Sequence, residues 1–594
     1  MWRMGQIWCV GLILTLCSSL GTAITISRNG QATATIVVAP DASEPEQYAA
    51  AELARFLGQI AGGEFTVQRE ENKQSSCVFV GPGAAKLADA QFSTDGLGAE
   101  GIVIRTVGDD LILAGGRPRG TLYAVYTFLE DQLGCRWWSS TESKIPRKRM
   151  IVVDKLDIRY VPPLEYRSPY WTDAFDTDWS ARNKANGQQH RLEAKHGGEH
   201  IYEGFVHTFY PLIPPEKYFA DHPEWFSEIE GKRITENAQL CLTNEDMRKE
   251  LVKNLKERLR ANPEATIASV SQNDWHRNCQ CAKCAAIDQE EGSPAGLMLR
   301  FVNAVAADIE QEFPNVAIST LAYQYTRKPP KITKPRPNVI VQLCSIECSF
   351  CKPLADERNK AFRDDIIGWS KISNRLYIWD YTTNFRHYIM PHPNLRVLGP
   401  NVKFFADHNV TGIFEQGAYT SYGAEMAELR AWVLAKLLWD PTRDGEALVN
   451  EFLSGYYGSA APSIKAYLKV MHDGVEASGD WLGCFEAHTA KFLSFDNLSR
   501  GWQHLKAAEQ AAADDPDLRF RVQVAQLPVM YTFMMRWKQM REDAKVANAE
   551  WPMPDSIQET YDQFMAIAKK KNVTRLNEWQ DGFVALDQAL AENR

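Results

Sequence analysis

The chain has 594 residues, 45% of them hydrophobic and 24% charged. These are values of a globular protein and exclude a disordered or fibrous one. The length exceeds one ordinary domain, so two or three are expected, and a net charge of -9 with a sequence pI near 5.8 excludes the basic stripe of a nucleic-acid binder.

Residues 1–23 read as a secretory signal peptide. They hold a short basic start at Arg3, an apolar core from Ile7 to Leu16, and the small residues Gly21-Thr-Ala23. Cys17 follows Leu16 rather than a small residue, which makes a poor lipoprotein site. No later apolar run approaches the roughly 18 residues of a spanning helix. The expectation is therefore a secreted or periplasmic protein without a membrane anchor, in a setting that permits disulfides.

Residues 24–160 predict a small α+β domain. Thr33–Val38 and Cys77–Val80 are apolar strand runs. Between them a helix over 44–60 carries Ala49, Leu53, Phe56 and Leu57 on one stripe. Gly101–Arg105 and Asp110–Leu113 predict a hairpin around Gly108-Asp109. The glycine-rich run 115–121 leads into a helix but lacks the Lys-Ser/Thr of a phosphate loop.

Pro162-Pro163 marks a boundary, after which strand and helix signals alternate. That alternation predicts a (β/α)8 TIM-like barrel over 161–422. Its eight strands are expected at 165–171, 203–210, 239–243, 266–270, 318–323, 339–344, 376–380 and 412–415. Asn244 is expected to cap a charged helix over 245–260. From Gly423 strand signals vanish, and 423–594 predicts an α-helical region. Its last helices are expected at 520–541, 556–570 and 575–592.

Four acidic residues stand where apolar strand runs end: Asp274, Glu347, Asp380 and Glu415. In a barrel of βα units those ends share one mouth. Glycoside hydrolysis needs such carboxyl groups, one to protonate the leaving oxygen and another group to deal with the oxocarbenium-like carbon. Trp275, Tyr323, Trp379, Tyr381 and Phe414 flank the acids. Aromatic rings there suit the apolar faces of sugars. A carboxylate at a strand end can also simply cap a helix or pair with Arg.

Two resemblances follow from longer motifs. The run Gly115-Gly-Arg-Pro-Arg-Gly-Thr-Leu-Tyr-Ala-Val-Tyr-Thr-Phe-Leu-Glu130, continuing to Leu133-Gly-Cys-Arg-Trp-Trp138, resembles the small domain preceding the barrel in family 20 hexosaminidases and family 67 α-glucuronidases. The barrel region resembles domain of unknown function 4838, now glycoside hydrolase family 163. The residues that carry this second likeness are Ser271-Gln-Asn-Asp-Trp275, Cys279-Gln-Cys-Ala-Lys-Cys284, Leu321-Ala-Tyr-Gln-Tyr-Thr326 with Pro329-Pro330, Leu343-Cys-Ser-Ile-Glu347, Tyr377-Ile-Trp-Asp-Tyr381 with Asn384-Phe385, and Phe414-Glu-Gln-Gly417. The resemblance implies an endo-β-N-acetylglucosaminidase that retains configuration by using the substrate's own acetamide. It implies Asp274 as general acid/base with Glu347 as its partner, and Asn273 as an acetamide ligand. Asp380 and Glu415 would bind hydroxyls, and Tyr323, Trp379 and Tyr381 would shape the sugar subsite. The implied partner is a glycan or glycoprotein, with no cofactor. An α-glucuronidase-like or other exo-glycosidase, and a glycan-binding protein without catalysis, stay open.

Six cysteines form two clusters, Cys279/Cys281/Cys284 and Cys344/Cys348/Cys351. Disulfides within or between them fit an exported chain. A structural zinc also fits, with a fourth ligand from the other cluster or from His276, and so do buried free thiols. No His-rich open motif for a catalytic metal is visible.

Overall fold

The computed structural model describes residues 23–69 and 75–593. The expected leader lies outside them apart from Ala23. No helix among the described residues is long and apolar enough to cross a membrane. The chain divides into two compact units, 1–133 with 145–160, and 134–144 with 161–594.

The first unit is an α+β domain. Its six-stranded mixed sheet runs in the order Asp157–Tyr160, Ile102–Val107, Asp110–Gly115, Ser76–Val80, Ala34–Val38, Val67–Gln68. Val37, Phe79, Val103 and Ile112 fill its core. Helix Glu44–Ala61 buries Ala49, Leu53, Phe56 and Leu57, the stripe that its sequence presents.

The second unit is built on seven parallel strands: β1 (Tyr166–Tyr170), β2 (Tyr202–Glu203), β3 (Ile267–Ser269), β4 (Ala317–Ala322), β5 (Val339–Cys344), β6 (Leu376–Tyr381) and β7 (Val410–Gln416). They lie in the order β1-β7-β6-β5-β4-β3-β2. The sheet curls like a TIM barrel but stays open between β1 and β2. The strand expected at 239–243 does not form; Leu240 makes only an isolated antiparallel bridge with Phe226. Seven strands therefore stand where eight are expected.

The curl is visible in the packing of the lumen. One buried cluster takes Tyr166 and Tyr170 from β1, Tyr202 from β2, Ile267 from β3, Ala317 from β4, Ile340 from β5, Tyr377 from β6 and Phe414 from β7. Tyr166 stacks on Tyr377 with centroids 5.5 Å apart and meets Tyr202 edge-on at 6.1 Å. These rings lie across the open seam between the two edges. Gly412 pairs in register with Tyr377, and a Cβ on Gly412 would lie 2.6 Å from the Tyr377 ring. The tyrosine thus lies flat over a residue without a side chain.

Helix α1 (Glu245–Ala261) starts at Asn244, whose side chain accepts from the Met247 amide, and turns Met247, Leu251, Leu255 and Leu259 inward. Acidic residues in its first turn and Arg258 and Arg260 in its last complement the helix dipole. Helices α2 (Ala282–Glu291) and α3 (Pro294–Glu310) follow β3. Beyond the sheet the unit is helical from Ala427 onward. The helix expected over 520–541 is two, Pro516–Met535 and Trp537–Val546. The helix expected at 575–592 is formed only over Val584–Asn593. Asn572 and Gly582 adopt positive φ, which breaks helical continuity, so 571–583 is a loop.

Gly412→Ala tests the floor of the lumen. Alanine in an ordinary strand gains about 0.5–1 kcal/mol over glycine. Here overpacking against Tyr377 should instead cost about 1–3 kcal/mol and lower the urea midpoint. An unchanged or raised midpoint contradicts this account of the floor.

Candidate active site

Strand side chains alternate between faces, and this pleat decides what reaches the lumen. On β6 the inward set is Tyr377, Trp379 and Tyr381; on β7 it is Gly412, Phe414 and Gln416. Above the tyrosine floor these strands open into a cavity of about 720 Å³. Tyr170, Phe205, Trp379, Tyr381, Phe414 and Tyr419 give it aromatic walls. Trp379 stacks on Phe205 at 5.4 Å and meets Phe414 edge-on at 4.7 Å. At the rim Phe485 stacks on Trp579 at 5.9 Å, and the Trp579 ring is largely exposed.

Asp274 lines this cavity with its side chain 61% exposed. The Tyr323 hydroxyl donates to its Oδ1 at 2.9 Å, and Gln324 in turn donates to Tyr323 at 3.0 Å. His207 Nε2 stands 4.0 Å from the same oxygen. The other ring nitrogen of His207 lies 2.7 Å from the Gln272 carbonyl. A carbonyl only accepts, so Nδ1 carries a hydrogen and Nε2 is the atom turned to Asp274.

A second carboxyl group enters from the C-terminal region. Glu578 sits in the 571–583 loop, where its amide donates to the Phe385 carbonyl at 3.0 Å, and the Tyr388 amide donates to the Leu576 carbonyl at 2.8 Å. Its Oε1 accepts from Gln416 Nε2 at 3.1 Å and from the Tyr419 hydroxyl at 3.0 Å. Gln416 in turn accepts from Trp379 Nε1 at 2.8 Å. Burial pushes the Glu578 carboxyl above its ordinary value; the two hydrogen bonds oppose that shift and the charge of Asp274 adds to it. The sequence offered no signal for Glu578, because its loop was expected to be helix and its partners lie about 160 residues away.

The remaining sequence candidates fall elsewhere. Asn273 is buried behind Asp274, its Oδ1 accepting from the Tyr210 amide at 3.2 Å and its Nδ2 donating to the Ala238 carbonyl at 2.8 Å. Both polar ends are thus taken by backbone. Glu347 is not among the residues lining the cavity, although its charge reaches Tyr323, Cys344 and Tyr381, which are; it pairs with Arg327 at 2.9 Å, and Arg327 also holds Asp365 at 2.7 Å. Asp380 and Glu415 are register partners on β6 and β7, one residue out of phase with the inward set. The pleat therefore puts them on the opposite face, buried and away from the cavity. Asp380 and Glu415 thus stand apart from the mouth that Asp274 lines.

The Asp380–Glu415 pair has its own electrostatics. Ser345 donates to Asp380, whereas neither carboxyl oxygen of Glu415 has a partner among the described residues. Burial raises Asp380 to about 6 and drives Glu415 well above its ordinary value, with the Asp380 charge adding to the second shift.

The cysteine clusters do not meet. Cys279, Cys281 and Cys284 are joined by Cys241, and the four sulfurs lie within 4.8 Å of one another. Neither His276 nor the second cluster belongs to that group. All ten described cysteines are buried, and those of the two clusters are free thiols, as is Cys241. Cys344 lines the cavity, and burial raises its thiol well above the usual range.

Residues 137–469 match domain of unknown function 4838. The chain belongs to the DUF4838 family. Ahead of that domain, residues 23–128 match the N-terminus of glycosyl hydrolase family 67. A comparison with curated proteins finds no match. Among solved structures, the family GH115 4-O-methyl-α-glucuronidase BtGH115A, with specificity for decorated arabinogalactans, is similar at 12% identity and a TM-score of 0.62, over 96% of this chain and 80% of that one. CpGH84B is similar at 11% identity and 0.49, over 96% and 97%, and a GH138 enzyme targeting pectin rhamnogalacturonan II at 10% and 0.43, over 92% and 94%.

Glu415 yields a pH prediction. A carboxyl whose folded value is raised contributes stability that is complete below its ordinary value of 4.5. That contribution is lost as pH rises toward the raised value. Glu415→Gln removes the titration. The variant's thermal midpoint should therefore gain on the native chain steadily as pH rises from 4.5 to 8. A difference independent of pH would show that Glu415 does not titrate between the folded and unfolded states.

Proposed function

We propose that this DUF4838 chain is a glycoside hydrolase that works with Asp274 and Glu578. The observation that carries the reading is their convergence, from two distant parts of the chain, on one aromatic-walled cavity. The raised Glu578 carboxyl suits the general acid, because it holds its proton closer to neutral pH. Asp274, more exposed and already accepting from Tyr323, suits the group that orients whatever attacks the anomeric carbon. Aromatic walls, and the largely exposed Trp579 at the rim, offer stacking faces for sugar rings. The family GH115 and family 67 likenesses agree with this class of chemistry.

The finer proposal is a retaining β-N-acetylglucosaminidase that uses the substrate's acetamide. Asp274, held by Tyr323, would accept from the acetamide N–H and orient its carbonyl oxygen. That oxygen attacks the anomeric carbon as the glycosidic C–O bond breaks, and the leaving oxygen takes the Glu578 proton. Water then attacks the same carbon and gives a proton back to Glu578 while the acetamide re-forms. No enzyme nucleophile is needed. The uronidase alternative is disfavoured, since a uronate needs a cation and no Lys or Arg stands among the described residues lining the cavity. Glu347, committed to Arg327, gives way to Glu578 as the partner of Asp274.

Glycan release from a panel of N-glycoproteins tests this proposal. Glu578→Gln and Asp274→Asn should each lower kcat by about 10²–10⁴-fold, with Glu347→Gln close to native. The alkaline fall in rate should vanish in Glu578→Gln, because the acid must be protonated to act. A thiazoline mimic of the cyclised acetamide should inhibit. Loss of turnover in Glu347→Gln but not in Glu578→Gln overturns the pairing. Indifference to the thiazoline overturns the acetamide route, and failure to release any glycan overturns the hydrolase reading.

A further inference from the structure

Cys241, Cys279, Cys281 and Cys284 come from two separate stretches. Cys241 follows the isolated bridge between Phe226 and Leu240. The other three follow the Asp274 turn; Cys281 precedes α2 and Cys284 lies in its first turn. All four are buried. Cys241 Sγ lies 3.8 Å from Cys281 Sγ and 3.8 Å from Cys284 Sγ. A disulfide requires about 2.0 Å. Four thiolates about 2.3 Å from one central ion stand ~3.8 Å apart at the corners of a tetrahedron. The observed separations therefore match a tetrahedral edge, not a bond.

The surroundings support charged sulfur rather than four apolar thiols in a core. The Glu228 amide donates to Cys279 Sγ at 3.3 Å, and Arg233 Nη1 donates to the same atom at 3.6 Å. The Thr243 hydroxyl stands 3.3 Å from Cys284 Sγ. Leu297, Leu242 and Ile287 close the apolar side. Donors on the sulfurs with an apolar cover are the surroundings that a tetrathiolate centre needs. The start of α2 adds its positive dipole end to the Cys281 and Cys284 side. Packing alone would place these sulfurs together, but it would not call for an amide, a guanidinium and a hydroxyl directed at them.

We propose that these four cysteines bind one tetrahedral divalent metal ion of the zinc type, which clamps the turn that carries Asp274 to the 226–243 segment. Four thiolates leave no open coordination position, so the ion is structural rather than catalytic. A pure sulfur set selects zinc over magnesium, calcium or manganese. Gln239 already pairs with the backbone of Asn273 in both directions, at 2.9 and 3.0 Å, and the Gln280 amide donates to the Glu228 carbonyl at 2.8 Å. The metal would lock the same two segments. The proposal does not depend on the reaction at Asp274.

Elemental analysis of the full chain, purified without chelator, should find about one zinc per chain. Cys241→Ser and Cys284→Ser should lose it, while Cys351→Ser, in the other cluster, should keep it. Arg233→Ala should weaken zinc retention against a competing chelator by about 10–100-fold. Cobalt(II) exchanged into the native chain should show thiolate-to-cobalt charge transfer and the intense visible bands of a tetrahedral site, a readout that requires no variant to fold. Chelation should speed hydrogen exchange across 271–284. A native chain that takes up neither zinc nor cobalt overturns the proposal. So does peptide mapping that finds these four cysteines in disulfides.

Discussion

Packing of three tyrosines at the base of the curled sheet sets the scale of everything above it. Seven parallel strands do not close a barrel by hydrogen bonds here, since β1 and β2 are both edges. Tyr166 and Tyr202 close it instead with side chains, and Tyr377 stacks against Tyr166 over Gly412. Because this floor is solid, the cavity begins one pleat higher, at Trp379 and Phe414. The next inward positions, Tyr381 and Gln416, then stand at its mouth. The depth of the site is thus a count of pleats above a tyrosine layer.

The same count explains which parts of the site were legible in the sequence. Five of the seven strands coincide with apolar runs in the sequence; β1 forms in the mixed stretch 165–171, and β2 forms only over Tyr202–Glu203, at the edge of its expected run. Trp379, Tyr381, Tyr323 and Asp274 stand out in the sequence as aromatic and acidic residues at strand ends, and all four line the cavity. Asp380 and Glu415 stand out equally, yet face the other way. An apolar strand buried on both faces has no polar alternation to reveal its phase, so the inward and outward sets cannot be told apart from composition. Glu347 stands out as well, but what the sequence does not reveal is its ion pair with Arg327 from another βα loop. Glu578 was invisible because nothing local marks it. Its place at the cavity comes from Gln416 and Tyr419, about 160 residues earlier. Cys241 had the same fate, since its apolar neighbours imitate a strand.

Distance along the chain also changes the status of the C-terminal region. Helices after a barrel can be accessories. Here the 571–583 loop supplies a carboxyl group to the cavity and the Trp579 ring to its rim. Its backbone is tied to Phe385 and Tyr388, in the segment that follows β6. Truncation before this loop would remove a wall of the site, not a neighbouring domain, since 161–594 belong to one compact unit.

On the proposed reading, Trp379 would link sugar contact to proton chemistry. Its ring forms a wall of the cavity, while its Nε1–H fixes Gln416, and Gln416 Nε2 fixes Glu578. Tyr381 and Gln416 are register partners, so the strand ladder itself sets where the amide stands. A ring stacked on Trp379 would exclude water from this relay, and exclusion strengthens each hydrogen bond in it. It would also deepen the burial that already raises the Glu578 carboxyl. On this reading the free site holds its acid partly ready, and the bound sugar completes the shift. A neutral sugar can do so, whereas an anionic one would set a second negative charge beside Asp274, with no Lys or Arg among the described lining residues to balance it.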